Sequence, residues 1–191
     1  MYVADLGTDK LHTYEIDAKS RKVNPGQPAY VSLTPGAGPR HVAIHPNGKF
    51  LYVVEELTSS VSVFSRDAKT GALTTVQKGV KTLPADFTGQ NTSADIHIDP
   101  SGKFLYQSNR GHNALAIFSI GADGKLTKVG DQPTMGKTPR NFMIHPSGEF
   151  VLVAHQDSDN ITIFRRNQQT GLLTYTGQSV SVPAPVCLIT K

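Results

Sequence analysis

One pattern recurs three times along the chain: an apolar strand, a proline turn and a second apolar strand. Its copies are RHVAIHPNGKFLYVVEEL at 40–57, SADIHIDPSGKFLYQSNRGH at 93–112 and RNFMIHPSGEFVLVAHQD at 140–157. The turn prolines at 46, 100 and 146 mark a period of about 50 residues. A sequence with this period is expected to fold as repeated units that pack on one another, because one unit alone cannot bury its apolar face.

Each repeat predicts four short strands. In the first full repeat they are VAIH, KFLYVV, SVSVF and the weaker LTTVQKGV, and the turn RDAKTGAL separates the last two. No segment shows sustained helical periodicity. The second strand is apolar at consecutive positions from Phe50 to Val54, which favours a sheet that is covered on both faces. The predicted fold class is therefore all-β, a β-propeller of four-stranded antiparallel blades.

The ends of the chain predict partial blades. MYVAD at 1–5 aligns with LYVVE at 51–55, so 1–36 is expected to be an incomplete blade without its first strand. Full blades are predicted at 37–90, 91–136 and 137–181, and the first strand of a closing blade at 182–191. Propellers close with roughly 4–8 blades. The chain is therefore about half of a larger ring, or a fragment that self-associates through its exposed blade faces.

Composition and charge narrow the classes of partner. The formal net charge is +4, but Lys and Arg are scattered, so no nucleic-acid partner is expected. No stretch approaches the roughly 20 apolar residues of a membrane span, and MYVADLGTDK is not a signal peptide. The single cysteine, Cys187, fits a reducing compartment, and its apolar surroundings predict a buried thiol. A cytoplasmic protein without a membrane partner is expected. No CxxC, HExxH, Walker or GxGxxG motif suggests a metal ion or a cofactor.

Polar residues converge at one rim of the predicted propeller. In an up-and-down blade the first strand starts at the rim where the second strand ends, so these positions gather at one mouth of the central channel. The first-strand starts are Arg40 and His41, Ala94 and Asp95, and Arg140 and Asn141; the second-strand ends are Asp5, Glu55 and Glu56, Asn109 and Arg110, and His155 and Gln156. Arginine, carboxylate and imidazole groups at a channel mouth predict a ligand site. The sequence leaves open which member of each pair faces the channel.

The repeated stretches also resemble a known family. PGAGPRHVAIHPNGKFLYVVEELTSSVSVF, SADIHIDPSGKFLYQSNRGHNALAIF and TPRNFMIHPSGEFVLVAHQDSDNITIF are similar to the seven-bladed β-propeller lactonases. That family includes the propeller-type 6-phosphogluconolactonases and the fungal 3-carboxy-cis,cis-muconate lactonizing enzymes. The resemblance covers essentially the whole chain and matches the C-terminal half of the family. It implies about half of a seven-bladed ring.

The resemblance also implies catalytic residues. In the lactonizing branch the proposed set is a histidine, two arginines and a glutamate. Arg40 matches the arginine of GPRH, Glu56 the glutamate that follows it in the next strand, and Arg110 the arginine of SNRGH. The histidine of the family lies upstream of the residues present here. In this interpretation Arg40 and Arg110 bind an anion and polarise a lactone carbonyl, and Glu56 or a nearby histidine activates water.

Four further residues are candidates for substrate binding, each with a structural role as the alternative. They are His41 beside Arg40, His97 at an inner-strand position where the sister repeats carry Ala43 and Met143, His112 at the end of SNRGH, and Arg140, which copies Arg40 in the next repeat. No catalytic metal is required by these residues.

The predicted activity is hydrolysis of an anionic sugar lactone, by resemblance 6-phosphogluconolactone to 6-phosphogluconate, once the missing blades complete the site. The partner is then a small phosphorylated or carboxylated lactone. One alternative is the cyclase reaction on 3-carboxy-cis,cis-muconate, which would use the same arginines because that substrate is also polyanionic. The other is a non-catalytic propeller fragment that serves as a ligand- or partner-binding scaffold.

Overall fold

The computed structural model describes residues 1–190, which fold into antiparallel β-sheets. The strands are β1 Tyr2–Asp5, β2 Lys10–Asp17, β3 Lys22–Ser32, β4 Pro39–Ile44, β5 Phe50–Glu55, β6 Ser60–Arg66, β7 Leu73–Lys81, β8 Thr92–Ile98, β9 Phe104–Arg110, β10 Ala114–Ile120, β11 Leu126–Pro133, β12 Pro139–Ile144, β13 Phe150–His155, β14 Asn160–Arg166 and β15 Leu173–Ser181. Among these residues no helix is long and apolar enough to cross a membrane.

The sheets are the blades of a partial propeller. One sheet has three strands, β1-β2-β3, and three sheets have four, β4-β5-β6-β7, β8-β9-β10-β11 and β12-β13-β14-β15. Strands that are consecutive in the chain pair antiparallel within each sheet. The first strands of successive blades lie side by side, β4 beside β8 and β8 beside β12, so they form the inner edge around the axis. The predicted all-β propeller class is confirmed.

The apolar core lies between the blades. Tyr52 and Val54 on β5 pack with Leu105 on β9 and Phe118 on β10, and all four are fully buried. Similar clusters join the first blade to the second and the third to the last. The second strands β5 and β9 are therefore covered on both faces, which explains why the apolar parts of their sequences show no polar alternation.

A tyrosine hydroxyl links each blade to the next. It stands on the second strand and donates to a glycine carbonyl in the turn between the third and fourth strands of the following blade. The three bonds are Tyr2 to Gly71 at 2.7 Å, Tyr52 to Gly124 at 2.9 Å and Tyr106 to Gly171 at 2.6 Å. Burial raises the pKa of Tyr106 to about 12, so its hydroxyl remains a donor at neutral pH.

Residues 182–190 form no strand. The backbone amide of Leu188 nevertheless donates to Asn141, just as the amide of Phe142 donates to Asp95 one repeat earlier. This match favours the first strand of a further blade, which stays a prediction. Cys187 is exposed, so the prediction of a buried thiol is wrong.

Candidate functional site

Two arginines and one glutamate meet at one rim of the propeller. Arg40 lies near the start of β4, Glu56 directly follows β5, and Arg110 ends β9. Arg40 Nε lies 3.1 Å from Glu56 Oε2, and Arg110 Nη2 donates to Glu56 Oε1 at 2.6 Å. The three side chains are only 13–18% exposed. The residues that the family resemblance implied as catalytic therefore form one half-buried cluster.

Glu56 holds two arginines from neighbouring blades at once. Each of its carboxylate oxygens accepts a charge-assisted hydrogen bond or ion pair from a different guanidinium group. Taking up a proton would remove the charge that keeps both arginines in place. The geometry therefore favours Glu56 as the residue that orients Arg40 and Arg110, rather than as the base that activates water.

Arg40 is the member of this cluster that reaches towards the axis. Its Nη1 donates to the carbonyl oxygen of Ala94 at 2.7 Å and lies 3.1 Å from Nε2 of His41. Within residues 1–190 its Nη2 has no protein hydrogen-bond partner. Burial lowers the pKa of Arg40 and the charge of Arg110 lowers it further, whereas Glu56 opposes the shift. The guanidinium is thus held in a region that already contains positive charge.

Arg140 adds a third cation. It occupies in β12 the position that Arg40 occupies in β4, and its charge also lowers the pKa of Arg40. Its Nη1 donates to the neutral amide of Gln156 at 3.1 Å, where the sister repeat carries Glu56. Arg40 and Arg110 share Glu56, whereas Arg140 has no carboxylate partner among residues 1–190, which leaves an excess of positive charge at this rim.

Asp95 is the centre of a second cluster, on the inner strands. It is 4% exposed, and Nδ1 of His41 and Nε2 of His97 lie 2.8 and 2.9 Å from its two oxygens. The side-chain amide of Asn141 donates to it at 2.6 Å, and the backbone amide of Phe142 at 3.2 Å. Although burial alone would raise the pKa of Asp95, the bonds from His41 and His97 hold that pKa well below its ordinary value. Asp95 is therefore an anion at neutral pH.

A groove of about 880 Å³ runs along the inner strands. Its polar lining includes Arg40, His41, Asp95 and His97, and the groove extends to the turn prolines of the opposite rim. Of the residues predicted to act on substrate, Arg40, His41 and His97 line this groove. Glu56 and Arg110 stand behind Arg40. Within the described part of the chain, no group of three or more His, Cys, Asp or Glu side chains is placed to hold a metal ion.

His112 lies outside the groove. Its ring packs edge-on against Phe87 at 5.1 Å, and its backbone amide donates to Asn91 at 3.1 Å. These contacts belong to the loops around the end of β9, so its predicted role in substrate binding gains no support from its position.

The structure also shows which of the two adjacent acids, Glu55 and Glu56, faces the arginines. Glu55 points into its own blade, where it is 2% exposed and accepts hydrogen bonds from the hydroxyls of Thr58, Ser60 and Ser62. Glu56 faces the arginines. Asp95 was visible in the sequence as a first-strand residue but was not among the predicted site residues. Its equivalence to His41 in the preceding repeat is the signal that could have identified it as a neighbour.

Comparisons with known proteins agree with this architecture. The model of the family described as lactonase, seven-bladed β-propeller, matches residues 1–190. The chain belongs to this lactonase family. The resemblance seen in the repeated motifs is thereby confirmed.

Individual lactonases match over nearly all of the chain. The 6-phosphogluconolactonase of Bacillus subtilis is 36% identical over 185 residues, covering 96% of this chain and 52% of the relative. The 6-phosphogluconolactonase of Formosa agariphila is 40% identical over 192 residues, covering 95% of this chain and 52% of the relative. The chain thus spans about half the length of the curated relatives it matches.

Solved structures confirm the fold. A Lactobacillus plantarum protein superposes with a TM-score of 0.91 at 38% identity, covering 97% of this chain and 53% of that one. The periplasmic gluconolactonase of Pseudomonas aeruginosa superposes with a TM-score of 0.90 at 37% identity, covering 96% of this chain and 51% of that one.

Proposed function

We propose that the protein hydrolyses an anionic sugar lactone, 6-phosphogluconolactone, to 6-phosphogluconate. The observation that carries this proposal is the excess of arginine over carboxylate at the mouth of the groove. Arg40 and Arg110 share Glu56 as their counter-charge, and Arg140, bonded to the neutral Gln156, adds a third positive charge that acts on Arg40. Even when the Asp95 carboxylate is counted, cations outnumber anions. Such a site is balanced by a ligand that carries negative charge.

The groups available for binding suit a phosphate and a carbonyl. Arg40 lines the groove, its Nη2 has no hydrogen-bond partner among residues 1–190, and Glu56 fixes the orientation of its guanidinium plane. A guanidinium group placed in this way can hold a phosphate or donate to the oxygen on which charge develops when water attacks a lactone carbonyl. Arg110, held by the same Glu56, keeps a second positive charge close to Arg40.

The names of the relatives favour the phosphorylated lactone as substrate. Both relatives described above, from Bacillus subtilis and Formosa agariphila, are named 6-phosphogluconolactonase. The cyclase reaction on 3-carboxy-cis,cis-muconate would use the same excess of arginine, so charge does not separate the two. An assay of purified full-length protein on both substrates does separate them. We expect hydrolysis of 6-phosphogluconolactone well above its spontaneous rate and no lactonization of carboxymuconate.

Arg110 is the residue that tests the anion site. We expect Arg110→Ala to lower kcat/KM for 6-phosphogluconolactone by roughly 100-fold or more, because it removes one of two cations that Glu56 positions. Arg21→Ala, which removes an exposed arginine in the turn between β2 and β3, is the matched control and should leave kcat/KM unchanged. Unchanged activity in Arg110→Ala, with its thermal melting temperature preserved, would rule out this assignment.

The remaining proposals concern location and partners. We infer a cytoplasmic protein, since its single cysteine, Cys187, requires no oxidising compartment. We infer a small anionic lactone as its partner, without nucleic acid or membrane, because the side chains of Arg40 and Arg110 are only 13–16% exposed at the rim.

A further inference from the structure

A carboxylate–imidazole pair lies in the groove, apart from the arginine–glutamate cluster. His97, on β8, places Nε2 at 2.9 Å from Oδ2 of Asp95 and is 39% exposed towards the groove. Asp95 itself is fixed from behind, because the amides of Ile96 and Phe142 and the side chain of Asn141 all donate to it. The pair therefore combines an immobile anion with an imidazole that solvent and ligands can reach.

The hydrogen bond fixes the tautomer of His97. An ionised carboxylate only accepts hydrogen bonds, so the nitrogen that faces Asp95 must carry the proton. In the neutral ring the lone pair is then on Nδ1. In the part of the chain that the structure describes, no protein group bonds to this nitrogen. The ring of Phe142, edge-on at 4.7 Å, holds the imidazole plane from the side.

His41 differs from His97 in one respect. It also bonds to Asp95, through Nδ1, but its Nε2 lies 3.1 Å from Nη1 of Arg40. A guanidinium group only donates, so the lone pair of His41 is occupied. Of the two imidazoles on Asp95, His97 is the one whose lone pair is free to take a proton from a ligand.

We propose that His97 is the general base of lactone hydrolysis and that Asp95 is its positioning residue; this inference rests on the proposed function. Nδ1 takes a proton from water while the water oxygen bonds to the carbonyl carbon, and the oxyanion forms beside Arg40. Collapse of the tetrahedral intermediate breaks the bond between that carbon and the ring oxygen. The proton on Nδ1 passes to the ring oxygen, which becomes a hydroxyl group. The new carboxylic acid releases its own proton to solvent.

The site places the two functions in the same groove. Arg40 and His97 both line it, from neighbouring inner strands β4 and β8. An anionic lactone held by the arginines at the rim would extend along the inner strands past His97. This arrangement divides binding and proton transfer between Arg40 and His97, and it leaves Glu56 to orient the arginines.

The test is His97→Ala in purified full-length protein. Alanine is compatible with this position, since the preceding repeat carries Ala43 there. We expect kcat for 6-phosphogluconolactone to fall roughly 100-fold or more while KM changes little, because a positioned base contributes about that much. Added imidazole should restore part of the rate of His97→Ala and none of the rate of Arg110→Ala. His145→Gln, in an exposed turn at the opposite rim, is the matched control and should leave kcat unchanged.

The possible outcomes separate the two proposals. An active wild type with an unchanged His97→Ala would overturn the role of His97 and leave the proposed function standing. A wild type with no activity on the lactone would overturn both. Nitrogen-15 NMR of the wild type gives an independent check that does not depend on a variant folding. A proton on Nε2 of His97 supports the inference, and a proton on Nδ1 in the neutral ring contradicts it.

Discussion

Single residues at equivalent positions in successive repeats become hydrogen-bond partners at the propeller axis. His41, Asp95 and Asn141 occupy the same place in β4, β8 and β12, and each is bonded to the next. The inner strands lie side by side, so equivalent side chains point at one another. A change of residue type between repeats therefore creates a chain of donor, acceptor and donor around Asp95. The repeat brings equivalent positions together at the axis, and the differences in residue type between repeats make these positions hydrogen-bond partners.

Asp95 makes folding stability dependent on pH. Its pKa lies below the ordinary value in the folded state, since the bonds from the two imidazoles outweigh burial, which alone would raise it. A group of this kind contributes stability above its unfolded pKa of about 4, and the contribution disappears as the pH falls. We expect the free energy of unfolding to drop by roughly 2 kcal/mol more in wild type than in Asp95→Asn between pH 6 and pH 2.

Urea unfolding at several pH values measures this difference. Asp86→Asn removes an exposed carboxylate and should follow the wild-type curve. Parallel curves for wild type and Asp95→Asn would show that the imidazole bonds do not favour the ionised form.

At the residue scale, the sequence predicted where polar groups converge but not how they pair. Arg40, Glu56 and Arg110 were assigned by resemblance, and the structure brings them together. Glu55 and Glu56 are adjacent acids, and only the surrounding hydroxyls of its own blade show that Glu55 is turned away. Such orientations depend on β-bulges and strand twist, which no local pattern encodes.

At the level of strands and turns, the blade interface depends on close contact between a turn and its neighbour. The turn before β15 carries Gly171 at a φ of +74°, and a Cβ at this position would overlap the Phe104 ring of the preceding blade. Gly177 has a similar φ of +79°, but a Cβ there would meet no atom within 4 Å. Alanine substitutions at the two glycines therefore distinguish the cost of backbone strain, which both share, from the cost of disturbed packing between blades, which only Gly171 should show.

Alanine at each glycine measures these two effects. Gly177→Ala should cost about 1–2 kcal/mol of unfolding free energy, since left-handed backbone is unfavourable for alanine. Gly171→Ala should cost about 1–3 kcal/mol more, because its methyl group displaces Phe104 from the interface. Thermal and urea unfolding of both variants provide the comparison. Equal decreases in the free energy of unfolding for the two variants would mean that the Phe104 ring moves aside without a measurable energetic cost.

The strands could be predicted from the sequence because each strand pattern occurs in three repeats. A propeller blade is predicted by the repeat period, the turn prolines and the second strands that are apolar at consecutive positions. The tyrosine bonds between blades were not predicted, because Tyr106 and Gly171 are 65 residues apart and no local pattern shows which residues meet between neighbouring sheets. Contacts of this kind follow only from the angle at which neighbouring sheets pack.

At the scale of the whole molecule, the outer face of the last blade is less covered than its counterparts. Ile161 and Ile163 on β14 are partly exposed. Val61 and Val63, which occupy the same positions on β6, are fully buried against the next blade. Apolar surface of this kind is stabilised by any second sheet that covers it. We therefore propose that the chain in isolation self-associates through this face of the last blade, with a second copy as the occupant.

We expect the chain of residues 1–191 to self-associate in a concentration-dependent way, as measured by sedimentation equilibrium. Ile163→Lys should weaken association at least 10-fold, because a lysine charge on this face would have to lose its hydration in the interface. Since Ile163 is partly exposed, the folded monomer should tolerate the change. Val129→Lys alters an exposed apolar residue on β11, an outer strand, and should leave the association constant unchanged. A monomer at every concentration would show that the partly covered face is stable in water, and equal weakening by both variants would place the contact elsewhere.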